Sequence, residues 1–191
     1  MKKIFFCALS FAAITCFTSC GNNTDSKAIA KDENDKKFDS TNVEGDTKFA
    51  VNVADAGMME VSASKLAQEK ATAGSVKDFA NMMVTDHSAA NNELKDLAAK
   101  KNISLPGQLS DEKQKKYNEL ASKKGTDFDK AYIDCMVSGH KDAVDAFQKE
   151  SEKGNDNDLR TWAAGKLPTL QHHLEVIQSI KDSKKGNTLV Q

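Results

Sequence analysis

Proline and aromatic residues are scarce in this chain: two prolines in 191 residues, and aromatics at 6%. A β domain, with its frequent turns and cross-strand aromatic pairs, is poorly served by that composition. Cysteine is scarcer still in the body of the chain. Cys7, Cys16 and Cys20 fall within the first twenty residues, which leaves Cys135 alone and excludes an internal disulfide. Neither sign of charge dominates, with 27 Lys+Arg against 28 Asp+Glu. No basic patch is interleaved with aromatics, so nucleic acid is not an expected partner. A glycine-rich phosphate loop, zinc-finger spacing and a nucleophile elbow are all absent. The apolar run Ile4–Phe17 is too short to span a bilayer comfortably.

What is present begins with an address. Lys2-Lys3, the apolar run and then Thr18-Ser19-Cys20 have the order of a secretory signal peptide over residues 1–19. Phe17-Thr18-Ser19-Cys20-Gly21 resembles a bacterial lipobox, in which the cysteine is lipidated and becomes the first mature residue. The alternative is ordinary cleavage, with Cys20 an incidental thiol. Removal of Lys2 and Lys3 takes the formal net charge from −1 to −3. The expected location is the bacterial cell envelope, at the outer membrane or periplasmic face, with a lipid on Cys20 as the membrane contact. Residues 20–46 are polar and predict a flexible tether, because such a stretch buries too little to offset its ordering entropy. Its Asp32-Glu33-Asn34-Asp35 cluster is either solvated linker or a surface-export signal. Residues 183–191 read as a frayed C-terminal tail.

Between these ends, residues 47–182 predict an all-α four-helix bundle with a short crossover helix. Phe49, Val53, Ala56, Glu60, Ala63 and Ala67 recur at helical spacing over Thr47–Ala71. Gly74 and Ser75 read as a C-cap and an N-cap. The second helix, Val76–Lys101, carries Val76, Ala80, Met83, His87, Ala90, Leu94 and Leu97 on one stripe. Pro106 bars helix through the connector, and a polar crossover helix begins at Ser110 and ends near Lys123. The third, Asp127–Lys153, turns Phe128, Tyr132, Met136, His140, Ala143 and Phe147 inward. The fourth, capped by Asn155 or Asp156, runs to Lys181 with Leu159, Ala163, Leu170, His173, Ile177 and Ile180 inward. Pro168 predicts a kink or a split near Leu167, and Trp162 an anchor at one end. Cys135 reads as a packing thiol.

Each of the four stripes carries one ionisable residue: Glu60, His87, His140 and His173. Turn positions put Glu60 and His87 in one layer, His140 at a similar height, and His173 about 6 Å away. Buried polar groups are costly unless paired or coordinating something. Two readings follow. The four residues hold one transition metal ion, zinc, iron or copper, or each is a hydrogen-bonded core residue that fixes register, with Asp86 and Asp134 as partners. His172 and Glu93 fit exposed faces; Glu69 lies near the inner stripe.

Val76-Lys77-Asp78-Phe79-Ala80, Met83-Val84-Thr85-Asp86-His87, Phe128-Asp129-Lys130-Ala131-Tyr132 and Leu167-Pro168-Thr169-Leu170-Gln171-His172-His173-Leu174 occur in order. With Glu60-Val61, and with His140 and Ala143-Val144, this set resembles the bacterial envelope family called domain of unknown function 4142, over about Phe49 to Ile180. The resemblance implies a ferritin-like bundle, periplasmic or membrane-attached, and no established reaction. Di-iron carboxylate bundles use Glu-x-x-His pairs. Here the residues three before His87, His140, His172 and His173 are Val84, Val137, Thr169 and Leu170, so ferroxidase chemistry is not expected.

Three functional expectations stand. The first is a non-enzymatic, lipid-anchored envelope bundle acting through binding or structural support. The second is a metal-binding bundle for storage, sensing or redox protection. The third is an adhesion or stress-response module working through its surface, by self-association or through a protein partner.

Overall fold

A computed structural model describes residues 25–188, and their side chains as far as residue 184. The signal peptide and Cys20 lie outside the described residues. Six helices and no strand occur among those described: α1 (Ser26–Phe38), α2 (Glu44–Lys70), α3 (Gly74–Lys100), α4 (Asp111–Ala121), α5 (Gly125–Lys153) and α6 (Asn157–Thr188). The four long helices form the expected bundle. Hairpin α2–α3 packs on hairpin α5–α6, with α2 facing α5 and α3 facing α6.

Helix α1 and the start of α2 correct the expectation of a flexible tether over residues 26–38 and 44–46; residues 20–24 of that expected tether lie outside the described residues. Asp25 caps α1, accepting from the backbone N–H groups of Lys27 and Ala28 at 2.8 and 3.0 Å. Apolar periodicity does not announce this helix, because its buried residues are only Ala30 and Asn34. It is docked by polar bonds instead. The Asn34 amide donates to the Ser104 carbonyl at 2.8 Å and accepts from the Ser104 N–H at 2.7 Å. A domain cut at Thr47 would strip this helix away.

The N-termini of α1 and α4 meet at the flank of α2. Asp25 accepts from the Asp111 N–H at 2.7 Å. Buried Asp55 of α2 accepts from the Ser110 N–H and hydroxyl at 2.9 and 2.8 Å and lies 3.5 Å from Lys27 Nζ. Two helix N-termini, each a partial positive charge, are thus held around carboxylates.

Two other junctions use the same device. Asp129 of α5 accepts from the Thr72 N–H and hydroxyl and from the Ala73 N–H, at 2.7–3.0 Å, and so holds the α2–α3 turn. The expected caps are thus corrected: Ala71 is the C-cap of α2 and Ala73 the N-cap of α3, with no side-chain cap bond of its own, and Gly74 and Ser75 are the first residues of α3. Asp46 of α2 accepts from the backbone of Asn155 and Asp156 and holds the α5–α6 turn, while Asp156 caps α6. Helix α6 runs unbroken past Pro168 to Thr188, rather than stopping at Lys181. Lys184 ties its last turns to Asp129 at 3.1 Å.

The core is densest at the α2–α3 turn end. Ala63, Phe79, Met83, Phe128, Tyr132, Met136 and Ile177 pack there, each 2% exposed or less. Burial of each large side chain contributes roughly 1.5–3 kcal/mol. At the other end Phe49, Phe147 and Leu170 pack with Trp162, the Phe49 and Phe147 rings meeting edge to face at 5.1 Å. Between these ends lies a polar layer.

Candidate metal centre

His87, His140 and His173 sit at mid-height on α3, α5 and α6, where the helical stripes turn them into the bundle axis. Their ring centroids are 5.4, 5.3 and 5.4 Å apart, a nearly equilateral triangle. His140 and His173 are fully buried and His87 is 7% exposed. Phe79, two turns before His87, lies 6.3 Å from the rings of both His140 and His173.

Each imidazole has one nitrogen engaged on the outer side of this triangle. His87 Nδ1 donates to Glu60 Oε2 at 2.9 Å. His140 Nδ1 donates to the Met136 carbonyl at 2.9 Å. His173 Nε2 donates to Asp86 Oδ2 at 2.9 Å. A carbonyl and a carboxylate can only accept, so each bond fixes its neutral imidazole in the tautomer whose other nitrogen carries a lone pair. Those other nitrogens face one another. His87 Nε2 is 3.3 Å from His173 Nδ1, and His140 Nε2 is buried without a hydrogen-bond partner. One ligand atom from each ring lies within 4.8 Å of the other two.

Electrostatics follow from this arrangement. Burial works against an ionised Glu60, but His87, and at longer range His140, hold its carboxyl down at about 2. Burial also opposes a charged His87, and the Glu60 carboxylate outweighs it and raises the imidazole above its ordinary value. Burial lowers His140. His173 is lowered to about 4 by burial, with Asp86 pulling the other way and the neighbouring histidines adding to the fall. Glu60 is therefore a carboxylate, and His140 and His173 are neutral bases at neutral pH.

The four residues expected on the inner stripes thus share one layer, with different roles. Three histidines converge, while Glu60 stands behind His87 and reaches only 3.9 Å from the outer nitrogen of His140. Asp86 partners His173. Asp134 instead pairs with Lys130 and Lys181 at the surface. His172, Glu69 and Glu93 are exposed, and Glu93 accepts from the Trp162 indole at 3.0 Å. The Met136 carbonyl escaped sequence reading because a backbone acceptor leaves no mark in residue identity.

Beside this layer α2 and α5 part to leave a cavity of about 740 Å³. Glu60 and His87 line one end, Phe49, Phe147 and Trp162 line the middle, and Asp46, Lys48 and Glu150 stand at the outer mouth. Cys135, read as packing, is half-buried at its edge, and burial pushes its thiol up. No helix among the described residues is long and apolar enough to cross a membrane.

No curated protein and no solved structure matches this chain. A family model does, over residues 31–180, a span that takes in most of α1 and all of the bundle's polar layer. The chain belongs to the family described as domain of unknown function (DUF4142).

Proposed function

We propose that this protein binds one transition metal ion through His87 Nε2, His140 Nε2 and His173 Nδ1, and that it does so as a lipid-anchored bundle of the cell envelope. One observation carries the metal reading: three buried imidazoles, each oriented by an outer acceptor, aim their lone pairs at a common point. Metal-bound histidines characteristically donate their second nitrogen to a carboxylate or backbone carbonyl, which fixes the ring and raises its basicity. Tetrahedral zinc with Zn–N of about 2.0–2.1 Å places its nitrogens roughly 3.3 Å apart. The His87–His173 pair already has that separation, and His140 completes the triangle by a small inward movement. The all-nitrogen donor set suits zinc, copper or iron. Glu60 and Asp86 orient His87 and His173 and are not themselves ligands. The envelope location rests on residues 1–20, whose order is that of a lipoprotein leader.

A second reading has its own observation. The 3.3 Å nitrogen–nitrogen distance also fits one proton shared between a charged His87 and His173, which would make the layer a polar core and the protein a binding or structural bundle. Metal content separates the two. The mature sequence carrying Cys20→Ser, purified without a nickel column and exposed to zinc, copper and iron in turn, is analysed by mass spectrometry beside His140→Ala. About one ion per chain in the wild type and none in the variant supports the metal centre. No retained metal in either leaves the proton-sharing core. For the address, Cys20→Ala should release the protein from the membrane fraction, and persistence there would refute lipidation.

A further inference from the structure

We propose that the cavity between α2 and α5 is a binding site for a single-chain anionic amphiphile, of the chemical class of a long-chain fatty acid. The inference stands apart from the metal reading. Its first support is shape. The lining runs along α2 from Gly45 to Glu60, and fifteen residues at helical rise make this about 22 Å long. Spread over that length, about 740 Å³ makes an elongated cleft rather than a round one, a shape suited to an extended chain, and its volume is within the ordinary range for ligand sites.

The second support is how polarity is graded along it. Phe49, Phe147, Trp162 and Leu170 make the middle stretch apolar, one end closes at Asn91, Glu60 and His87, and the outer mouth beyond the aromatic rings is charged, with Asp46, Lys48, Lys149 and Glu150. Small residues make the room: Ala56 on α2 and Ala143 on α5 are half-buried in facing walls. A hydrocarbon tail belongs against the aromatic stretch, where each methylene removed from water contributes roughly 0.8 kcal/mol.

The third support is charge. Around the polar end Glu60 is paired with His87, Asp86 with His173 and Lys27 with Asp55. Lys113, half-buried on α4, lines the same end and has no ion-pair partner among the described residues. Its field reaches Glu60. Asp142 also lines this part of the cavity without an ion pair among the described residues; with Glu60, Asp86 and Asp55 matched, the unpaired Lys113 ammonium is the cation that an anionic head group would meet.

The chain's single tryptophan, Trp162, lies in the cavity wall and reports on occupancy. Its fluorescence is followed while the mature sequence carrying Cys20→Ser is titrated with palmitate below its micelle concentration, in EDTA. We expect a saturable change, weakened at least tenfold by Ala143→Phe, which fills the channel, and by Lys113→Glu, which turns the cation facing the head group into an anion. His140→Ala should bind palmitate within twofold of wild type, so loss of the metal centre leaves this result standing. No saturable change would overturn the proposal. Equal affinity for a cationic amphiphile of the same chain length would overturn the head-group assignment, and so would unaltered binding by Lys113→Glu. Unaltered binding by Ala143→Phe, with a wild-type melting curve, would place the ligand elsewhere and refute the site.

Discussion

Two sets of buried ionisable groups hold this molecule in different ways. Asp46, Asp55 and Asp129 are almost fully buried, and each accepts two or more hydrogen bonds from a junction between helices. Their lone pairs are used up by the chain's own N–H and O–H groups. The histidine layer is equally buried, but its bonds to oxygen all lie on the outer side, and at the centre His140 Nε2 has no partner while His87 Nε2 meets only another ring nitrogen at 3.3 Å. A buried charge with every bond made inside the protein fixes geometry. A buried ring that satisfies one nitrogen and turns the other toward two like neighbours leaves a donor that the proposed metal centre would use.

That contrast can be broken at several points. The largest effect is expected from Asp129→Ala, which removes the charged acceptor shared by the Thr72 N–H, the Thr72 hydroxyl and the Ala73 N–H at the α2–α3 turn. Urea denaturation should show a loss of about 3–5 kcal/mol, the same with and without metal. A loss that depended on metal would merge the two sets. His140→Ala should act in the opposite way. Zinc at a hundred times its dissociation constant should stabilise wild type by about 2.7 kcal/mol and this variant not at all; an equal gain in both would dissolve the distinction.

Glu60→Gln sharpens the comparison, because it keeps an acceptor near His87 Nδ1 but removes the charge. Metal affinity measured by competition with a chromophoric chelator should fall by roughly 10–100-fold, and full retention would make Glu60 a member of the merely structural set. The smallest effect concerns Glu150, beside the Asp46 clamp. Burial, then the charge and hydrogen bonding of Asp46 and the charge of Asp156, raise its carboxyl to about 7 from an ordinary 4.5, with Lys149 pulling the other way. The native state therefore holds this proton where the unfolded chain has released it, and stability falls as pH rises from about 4.5 to 7. Between pH 5 and 8 the wild-type melting temperature should drop by about 2–4 °C more than that of Glu150→Gln. Parallel curves would show that the clamp is indifferent to its neighbour.

The bundle was legible because its helices are amphipathic and long, so stripe, turn and partner follow from one period. The histidine layer was legible in membership for the same reason: Glu60, His87, His140 and His173 interrupt otherwise apolar stripes. Their division of labour was not, since which ring nitrogen faces inward depends on bonds to Asp86 and to a backbone carbonyl. Helix α1 stayed hidden because it docks through Asn34 rather than through an apolar face. The cavity is the instructive miss. Val53, Ala56, Ala90 and Ala143 lie on the predicted inner stripes and turn inward as expected, but they remain half-exposed because they line the space between α2 and α5. Periodicity finds the direction of a side chain. It does not register whether small residues on facing helices leave a gap.

The docking of α1 also sets how far the molecule can stray. With Asp25 bonded to the start of α4, only four residues of chain separate it from Cys20, a reach of about 17 Å at full stretch over five residue steps. A long tether would let an anchored bundle roam the compartment; one of four residues would be a short leash. A lipid on Cys20 would keep the bundle within about one helix-bundle width of the bilayer, with the α1–α4 junction as its nearest flank. Lys27 and Lys113 stand at that junction and line the cavity, so its polar end would open toward the membrane surface rather than toward the distant solvent.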